Sequence, residues 1–273
     1  MSTGASTPLP TVSVVVPSLN QGHFIRETLD SILSQDYPGL EVIVVDGGST
    51  DDTREVLAGY GDRLSWTSEK DTGQSNAINK GLARASGEIV CFLNSDDLFT
   101  PGSLHAVGTY FAKHPSVQWL TGACRIIDEN GRPIRAFIDA YKALWRRFAM
   151  SRWTLLVLNY IPQPATFWRR SAMLDVGLID ESLHWAMDYD YWLRLSKLGR
   201  PANLPQCLAS FRIHSSSKSA TNVRSQFDEG VELARIHGGP LVAWLNRIHQ
   251  RVALWIYQIL YGQGKRAPSS RET

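Results

Sequence analysis

The first half of the chain alternates between short, almost unbroken apolar runs and longer stretches in which apolar residues recur every three or four positions. Residues 11–16 (TVSVVV), 40–45 (LEVIVV) and the start of 89–97 (IVCFLNSDD) read as strands buried on both faces. Another strand is expected at 64–67. Between them, Ile25, Leu29, Ile32 and Leu33 mark one face of a helix, with Asn20 as its expected cap. A short helix is expected near 53–58, and a loop and helix over EKDTGQSNAINKGLARASG, closed near Gly87. Thr100-Pro101 predicts a further helix start with proline at the first helical position. Strand and helix repeated at this spacing predict an α/β fold, a parallel sheet covered on both faces.

Past residue 115 the pattern changes. Residues 117–120 and 124–127 read as strands, followed by a hairpin-type turn at Glu129-Asn130-Gly131. Residues 137–160 are rich in aromatics and arginine, which predicts helices or a mobile flap. Residues 188–198 read as a helix ending at Gly199, and a last helix is expected over 240–261.

Composition narrows the function classes. The chain has 273 residues, 43% hydrophobic and 20% charged, with a net charge of +2. Such a balance argues against nucleic-acid binding driven by bulk charge. Cys91, Cys124 and Cys207 form no Cys-x-x-Cys pair, and Cys91 sits inside an apolar run, so a core thiol is expected rather than a disulfide scaffold or zinc site. The lead MSTGASTPLP lacks the cationic start and apolar core of a secretory signal, and no apolar run reaches the roughly 18–20 residues of a membrane span. A cytoplasmic protein is expected, attached at most to the inner face of the cell membrane.

The chemistry gathers at strand ends. Asp46, Asp71 and Asp96 each fall at, or within a few residues of, the end of one of the first parallel strands. In a parallel sheet those ends share one edge, where ligands bind, so the three carboxylates should surround one cleft. Asn-Ser-Asp-Asp after an apolar strand suits a hard cation such as Mg²⁺ or Mn²⁺ bridging a carboxylate and a diphosphate. The segment after the first strand, PSLNQGHF, is no Gly-x-Gly-x-x-Gly turn, and there is no Gly-Lys-Ser/Thr loop. A dehydrogenase or P-loop NTPase is thereby disfavoured.

Three segments, PSLNQGHFIRETLDSILSQDYPGLEVIVVDGGSTDDT, EKDTGQSNAINKGLARASGEIVCFLNSDD and MDYDYWLRL, resemble the family-2 glycosyltransferases of the GT-A fold in order and approximate spacing, over roughly residues 11–215. The resemblance implies a Rossmann-like, mainly parallel sheet with a C-terminal helical extension. It divides the chain into a disordered lead (1–10), a catalytic domain (11–222) and a helical extension with a flexible tail (223–273). Within the catalytic domain, 11–115 would be the nucleotide-sugar half and 116–222 the acceptor half. Asp46 would hydrogen-bond the base beside Pro17, Ser18 and Asn20, and Asp71 would help close the nucleotide pocket. Asn94-Ser95-Asp96 occupies the Asp-x-Asp position, with Asn94 facing the ribose and Asp96 ligating the divalent metal. Asp188 stands at the general base, and His214, in FRIHSSSKS, near the metal or diphosphate. Arg212 and Lys218 are candidates to neutralise the diphosphate. IPQPATFWRRS resembles the acceptor-side segment, which brings in Gln163; Trp185, just before the base, is a second acceptor candidate.

Two positions depart from the family pattern. Asn94 removes one acid of Asp-x-Asp, which weakens the expected metal site, and Met187 stands where many relatives have Glu. Asp190 cannot substitute, because residues two apart on a helix point in different directions. The implied reaction is inverting transfer from a nucleotide-diphosphate sugar to a hydroxyl of a glycan or lipid-linked acceptor, in cell-surface glycan assembly. Asp188 would act as base, with a divalent cation as cofactor. The alternatives are a non-catalytic nucleotide-sugar-binding or scaffold protein and a sugar nucleotidyltransferase. In the extension, Leu241, Trp244, Leu245, Ile248, Val252, Trp255, Ile256 and Ile259 fall at helical spacing among Arg247, Arg251, Lys265 and Arg266. Such a stripe serves core packing, a homodimer or peripheral membrane contact.

Overall fold

A computed structural model describes residues 8–215, 217 and 223–261, with the side chains of 223 and 257–261 outside the description. Eight strands form one sheet in the order β3-β2-β1-β4-β7-β6-β8-β5. Its parallel half is β1 (Val12–Ser18), β2 (Leu40–Asp46), β3 (Ser65–Ser68) and β4 (Ile89–Phe92). Val12, Val14, Val15 and Val16 are fully buried, each worth roughly 1.5–3 kcal/mol over an exposed side chain. Helices α1 (Gly22–Leu33), α2 (Thr53–Ala58) and α3 (Gln74–Arg84) connect these strands at the expected places. The short β5 (Leu98–Phe99) precedes α4 (Ser103–Lys113).

The second half extends the same sheet. β7 (Thr166–Arg169) lies antiparallel between β4 and β6 (Trp119–Ile127), and β8 (Ala202–Arg212) runs parallel to β6. α5 (Ala136–Phe148) and α6 (Arg152–Val157) fill the aromatic segment expected as helices. α7 (Arg170–Val176) and α8 (Met187–Leu195) follow, then α9 (Val223–Gly238) and α10 (Pro240–Tyr261).

Several local expectations are corrected. Asn20 is no helix cap: it adopts a left-handed φ of 53°, and its side-chain oxygen accepts the Thr50 N–H at 2.9 Å. Pro101 does not open α4, because a turn with left-handed Gly102 intervenes before Ser103. The two strands expected at 117–127 are one, β6, whose register against β8 shifts around Ala123. The turn after it exists, but returns only as an isolated bridge between Ile127 and Pro133.

The apolar stripe of α10 faces outward. Val242, Ala243 and Asn246 are its buried side, with Asn246 donating to the Leu156 and Val157 carbonyls at 3.1 and 3.0 Å. Leu241, Trp244, Leu245, Ile248, Val252 and Trp255 are exposed beside exposed Arg247 and Arg251, so this stripe does not pack on the body. Ile259, Lys265, Arg266 and the lead at 1–7 lie outside the described residues or side chains. No helix among the described residues is long and apolar enough to cross a membrane. The described cysteines are free, with Cys91 in the core.

Candidate functional site

The ends of β1, β2 and β3 lie in register, pairing Ser18 with Asp46 and Asp46 with Ser68. Asp46 is fully buried. Its carboxylate accepts the Ser49 N–H at 2.9 Å, the Ser49 hydroxyl, and the Ser68 hydroxyl at 2.6 Å. Ser49 Oγ in turn accepts the Asn20 N–H at 2.7 Å, tying the β1 and β2 loops together. A base reaching Asp46 would have to displace one of these serines. Asp71 comes against the same loop: a side chain at Gly47 would meet its Oδ2 at 2.6 Å, so only glycine allows the approach. Ser18 Oγ is buried without a hydrogen-bond partner among the described residues, and Pro17 is buried beside it.

After β4 the backbone turns tightly through Asn94-Ser95-Asp96-Asp97, with the Asp97 N–H donating to the Asn94 carbonyl at 3.1 Å and Ser95 buried. Asn94 is the centre of an amide network. Its oxygen accepts from Gln74 at 2.8 Å, and its nitrogen donates to Asp97 Oδ2 and to Gln163 Oε1, both at 3.2 Å. Gln163 is anchored in turn by donating to the Phe92 carbonyl at 2.7 Å. Asp96 points the other way, and its Oδ2 lies 3.0 Å from His214 Nε2. Burial, and then the neighbouring Asp96 charge, push the Asp97 carboxyl well above the usual carboxylate range.

Arg212 is where sequence reasoning fails. It is not available to a diphosphate: it is 1% exposed and built into the wall. Its Nε donates to the Asp96 carbonyl at 2.8 Å, Nη1 to the Glu129 carbonyl at 2.9 Å, and Nη2 to Glu27 at 2.6 Å. Its own N–H donates to Asp97 at 2.9 Å. Phe24 of α1 packs against both Arg212 and His214, its ring centre 5.1 Å from the guanidinium carbon and 4.6 Å from the His214 ring. Lys218 lies outside the described residues.

Asp188 sits in the first turn of α8, half-buried at the wall of a cavity of about 300 Å³. Gln74, Asn94, Gln163, Trp185, Lys142 and Arg146 share that wall. Burial raises the Asp188 carboxyl, against the Tyr189 N–H bond and the Lys142 charge. Asp190, as helical spacing requires, points elsewhere, bonded to Arg194 and His237, each at 2.8 Å. α9 clamps this helix. Glu229 accepts the N–H groups of His184 and Trp185 at 3.0 and 2.8 Å and that of Ala186, the N-cap of α8, so it fixes the segment that leads into the helix.

Of the residues expected from sequence, Asn94, Gln163, Trp185 and Asp188 meet on one cavity. Asn20 and His214 line a second, and Asp96 touches His214. Pro17, Ser18, Asp46, Asp71 and Ser95 line neither of these two cavities. Lys142, Arg146, Gln74 and Glu229 were not anticipated. The four-residue spacing of Lys142 and Arg146 was the available signal, because it puts both on one helix face.

Asp96 and His214 fit a hard divalent cation as a partial site. The two side chains meet at 3.0 Å, so both would be at hand as ligands once the hydrogen bond between them gives way. No cluster of three or more His, Cys, Asp or Glu side chains occurs among the described residues, so the remaining ligands would be diphosphate oxygens and water.

Residues 13–177 match the family model for glycosyl transferase family 2. A Bacillus subtilis glycosyltransferase named for teichuronic acid biosynthesis, TuaG, is 31% identical over 77% of this chain and 82% of its own. Staphylococcus aureus TarS 1-349 in complex with UDP-GlcNAc superposes with a TM-score of 0.66 at 18% identity, over 92% of this chain and 76% of that one. The mannosyltransferase PcManGT of Pyrobaculum calidifontis, in complex with GDP-Man and Mn²⁺, gives 0.64 at 21% identity, over 96% and 78%. These likenesses establish the GT-A type fold.

Proposed function

The chain belongs to glycosyl transferase family 2, and from that premise we propose that it moves a sugar from a nucleotide-diphosphate sugar to an acceptor hydroxyl, with inversion. The carrying observation is Asp188: a half-buried carboxyl on one cavity with Asn94 and Gln163, which lead directly to the turn holding Asp96. Asp188 takes the proton of the acceptor hydroxyl as that oxygen attacks the anomeric carbon. The diphosphate leaves from the opposite face, so configuration inverts. Asp96 and His214 would hold the divalent cation, Mn²⁺ or Mg²⁺, whose charge offsets that of the diphosphate when bound.

The other side chains position and exclude. Asn94, oriented by Gln74 and Gln163, presents an amide to the ribose or donor sugar, while Gln163 and Trp185 face the acceptor. Pro17, Ser18, Asn20 and Asp71 form the nucleoside side. Asp46 acts there chiefly by orienting Ser49 and Ser68, which its carboxylate already holds. The name of TuaG supports a role in cell-surface glycan assembly. The outward stripe of α10, flanked by Arg247 and Arg251, fits attachment to an anionic membrane surface, where a lipid-linked acceptor would be found.

The test is calorimetric titration of the protein with UDP, GDP, dTDP and CDP, with and without Mn²⁺. Metal-enhanced binding of one diphosphate, lost in Asp96→Ala, is the expected result. Binding of none of them would overturn the proposal.

A further inference from the structure

Arg146 differs from the other buried arginines. Arg212 is satisfied by two carbonyls and a carboxylate, and Arg194 pairs with Asp190. Arg146 is only 5% exposed, yet it makes no hydrogen bond or ion pair to any described residue. Lys142, one turn earlier on α5, has none either. Both side chains line the Asp188 cavity. A buried cation without an ion-pair partner is costly, and a wall that sets a half-exposed lysine beside it suits a counter-charge that arrives from outside.

The carboxyls of the cavity supply it only at a distance: Asp139 and Asp188 attract Lys142, and Asp139 attracts Arg146, without forming an ion pair. Asp139 and Asp188 are both beyond ion-pair distance of Lys142 and Arg146. Asp139 is engaged with the Ile126 N–H at 3.2 Å, and burial raises both carboxyls, Asp139 and Asp188, while it lowers Lys142 and Arg146. The donor diphosphate has its own place: Asp96 and His214 are absent from this wall, and His214 lines the second cavity.

We propose that Lys142 and Arg146 form a subsite for an oxyanion, a phosphate or a carboxylate, carried by the acceptor near the hydroxyl that Asp188 deprotonates. This rests on the assignment of Asp188 as the base. Arg146 offers the planar donor fork that pairs bidentately with such groups, and Lys142 adds a point charge. The enzyme would then select acceptors already bearing a phosphodiester or a uronic acid over neutral glycans, and consume the product of a reaction that installs that group.

The experiment uses the full chain saturated with Mn²⁺ and whichever nucleoside diphosphate binds, so that the donor site is filled. Glycerol 3-phosphate, glucuronate and neutral methyl glucoside are then titrated by calorimetry. An anionic probe should bind at least about tenfold more tightly than methyl glucoside. Arg146→Gln and Lys142→Gln should each remove about that factor, Arg146→Lys should keep part of it, and diphosphate affinity should stay unchanged. Because Arg146 is buried, thermal melting accompanies each variant, and half-exposed Lys142 supplies the version that folds. Equal affinity for neutral and anionic probes, or anion binding indifferent to both variants, overturns the proposal. So does an equal loss of diphosphate affinity, which would give the cations to the donor. If no diphosphate binds but the anions still bind through Arg146, the transferase reading falls and the oxyanion subsite stands.

Discussion

Arg212→Met removes a guanidinium while keeping a long, unbranched side chain of similar reach. Three hydrogen bonds disappear. Two of them leave the Asp96 and Glu129 carbonyls without their donor, at about 1–3 kcal/mol for each group left unsatisfied. The third partner, Glu27, is 55% exposed and resolvates, so the lost ion pair adds only about 0–1 kcal/mol. The packing over Phe24 is largely kept by the methionine stem. The expected loss is therefore about 2–7 kcal/mol, read as a lower urea midpoint with unchanged slope. Arg212→Lys keeps the charge but cannot span all three acceptors, and should fall between wild type and Met. The carbonyl that is released belongs to Asp96, so metal-enhanced diphosphate binding should weaken along with stability. A stability loss below about 1 kcal/mol with diphosphate binding intact would refute the claim that Arg212 braces this turn.

Two further outcomes follow from the same geometry. Asp188→Asn should lower transfer by about 10²–10⁴-fold while leaving diphosphate affinity within error, as measured by product formation and calorimetry on one preparation. Since burial raises the Asp188 carboxyl and the base works ionised, wild-type transfer should rise with pH along a limb displaced above the ordinary carboxylate range; a limb at the ordinary position would contradict the assignment. The outward stripe of α10 should float the protein with vesicles containing anionic lipid and not with neutral ones, and Trp244→Glu with Trp255→Glu should abolish flotation; a concentration-dependent dimer that those changes dissolve would instead identify a second copy as the occupant.

β1, β2 and β4 were legible because they are largely buried on both faces and read as nearly unbroken apolar runs, whereas β3, SWTS, is half-exposed and is marked by its position between two helices. The ends of these strands do bring Asp46, Asp71 and Asp96 after successive parallel strands, but the expected shared cleft is not formed, because none of the three lines either of the two cavities. β8 was invisible for the converse reason: ANLPQCLASFR contains a proline and polar residues, and long-range pairing with β6 holds it extended. α9 falls within the helical extension expected over 223–273, but nothing in the sequence pointed to the role of Glu229 against α8. Arg212 looked like a surface cation because sequence gives charge but not depth. Lys142 and Arg146 lie in the aromatic and arginine-rich segment read only as helices or a flap, and the tertiary arrangement is what brings them to the Asp188 cavity. Asn20 illustrates the smallest scale: the same side chain suits a cap or a left-handed bend, and the Thr50 N–H decides between them.

The amide at position 94 also limits what mutation can restore. Its nitrogen donates to two acceptors, Asp97 Oδ2 and Gln163 Oε1, and Gln163 cannot simply turn over because its own nitrogen is bound to the Phe92 carbonyl. Asn94→Asp would recreate the acid of the Asp-x-Asp pattern, but it would set a carboxylate against both of those oxygens. An acid at position 94 is therefore accommodated only if a proton is held between it and Asp97, whose carboxyl is already pushed up, and if the Gln163 contact gives way.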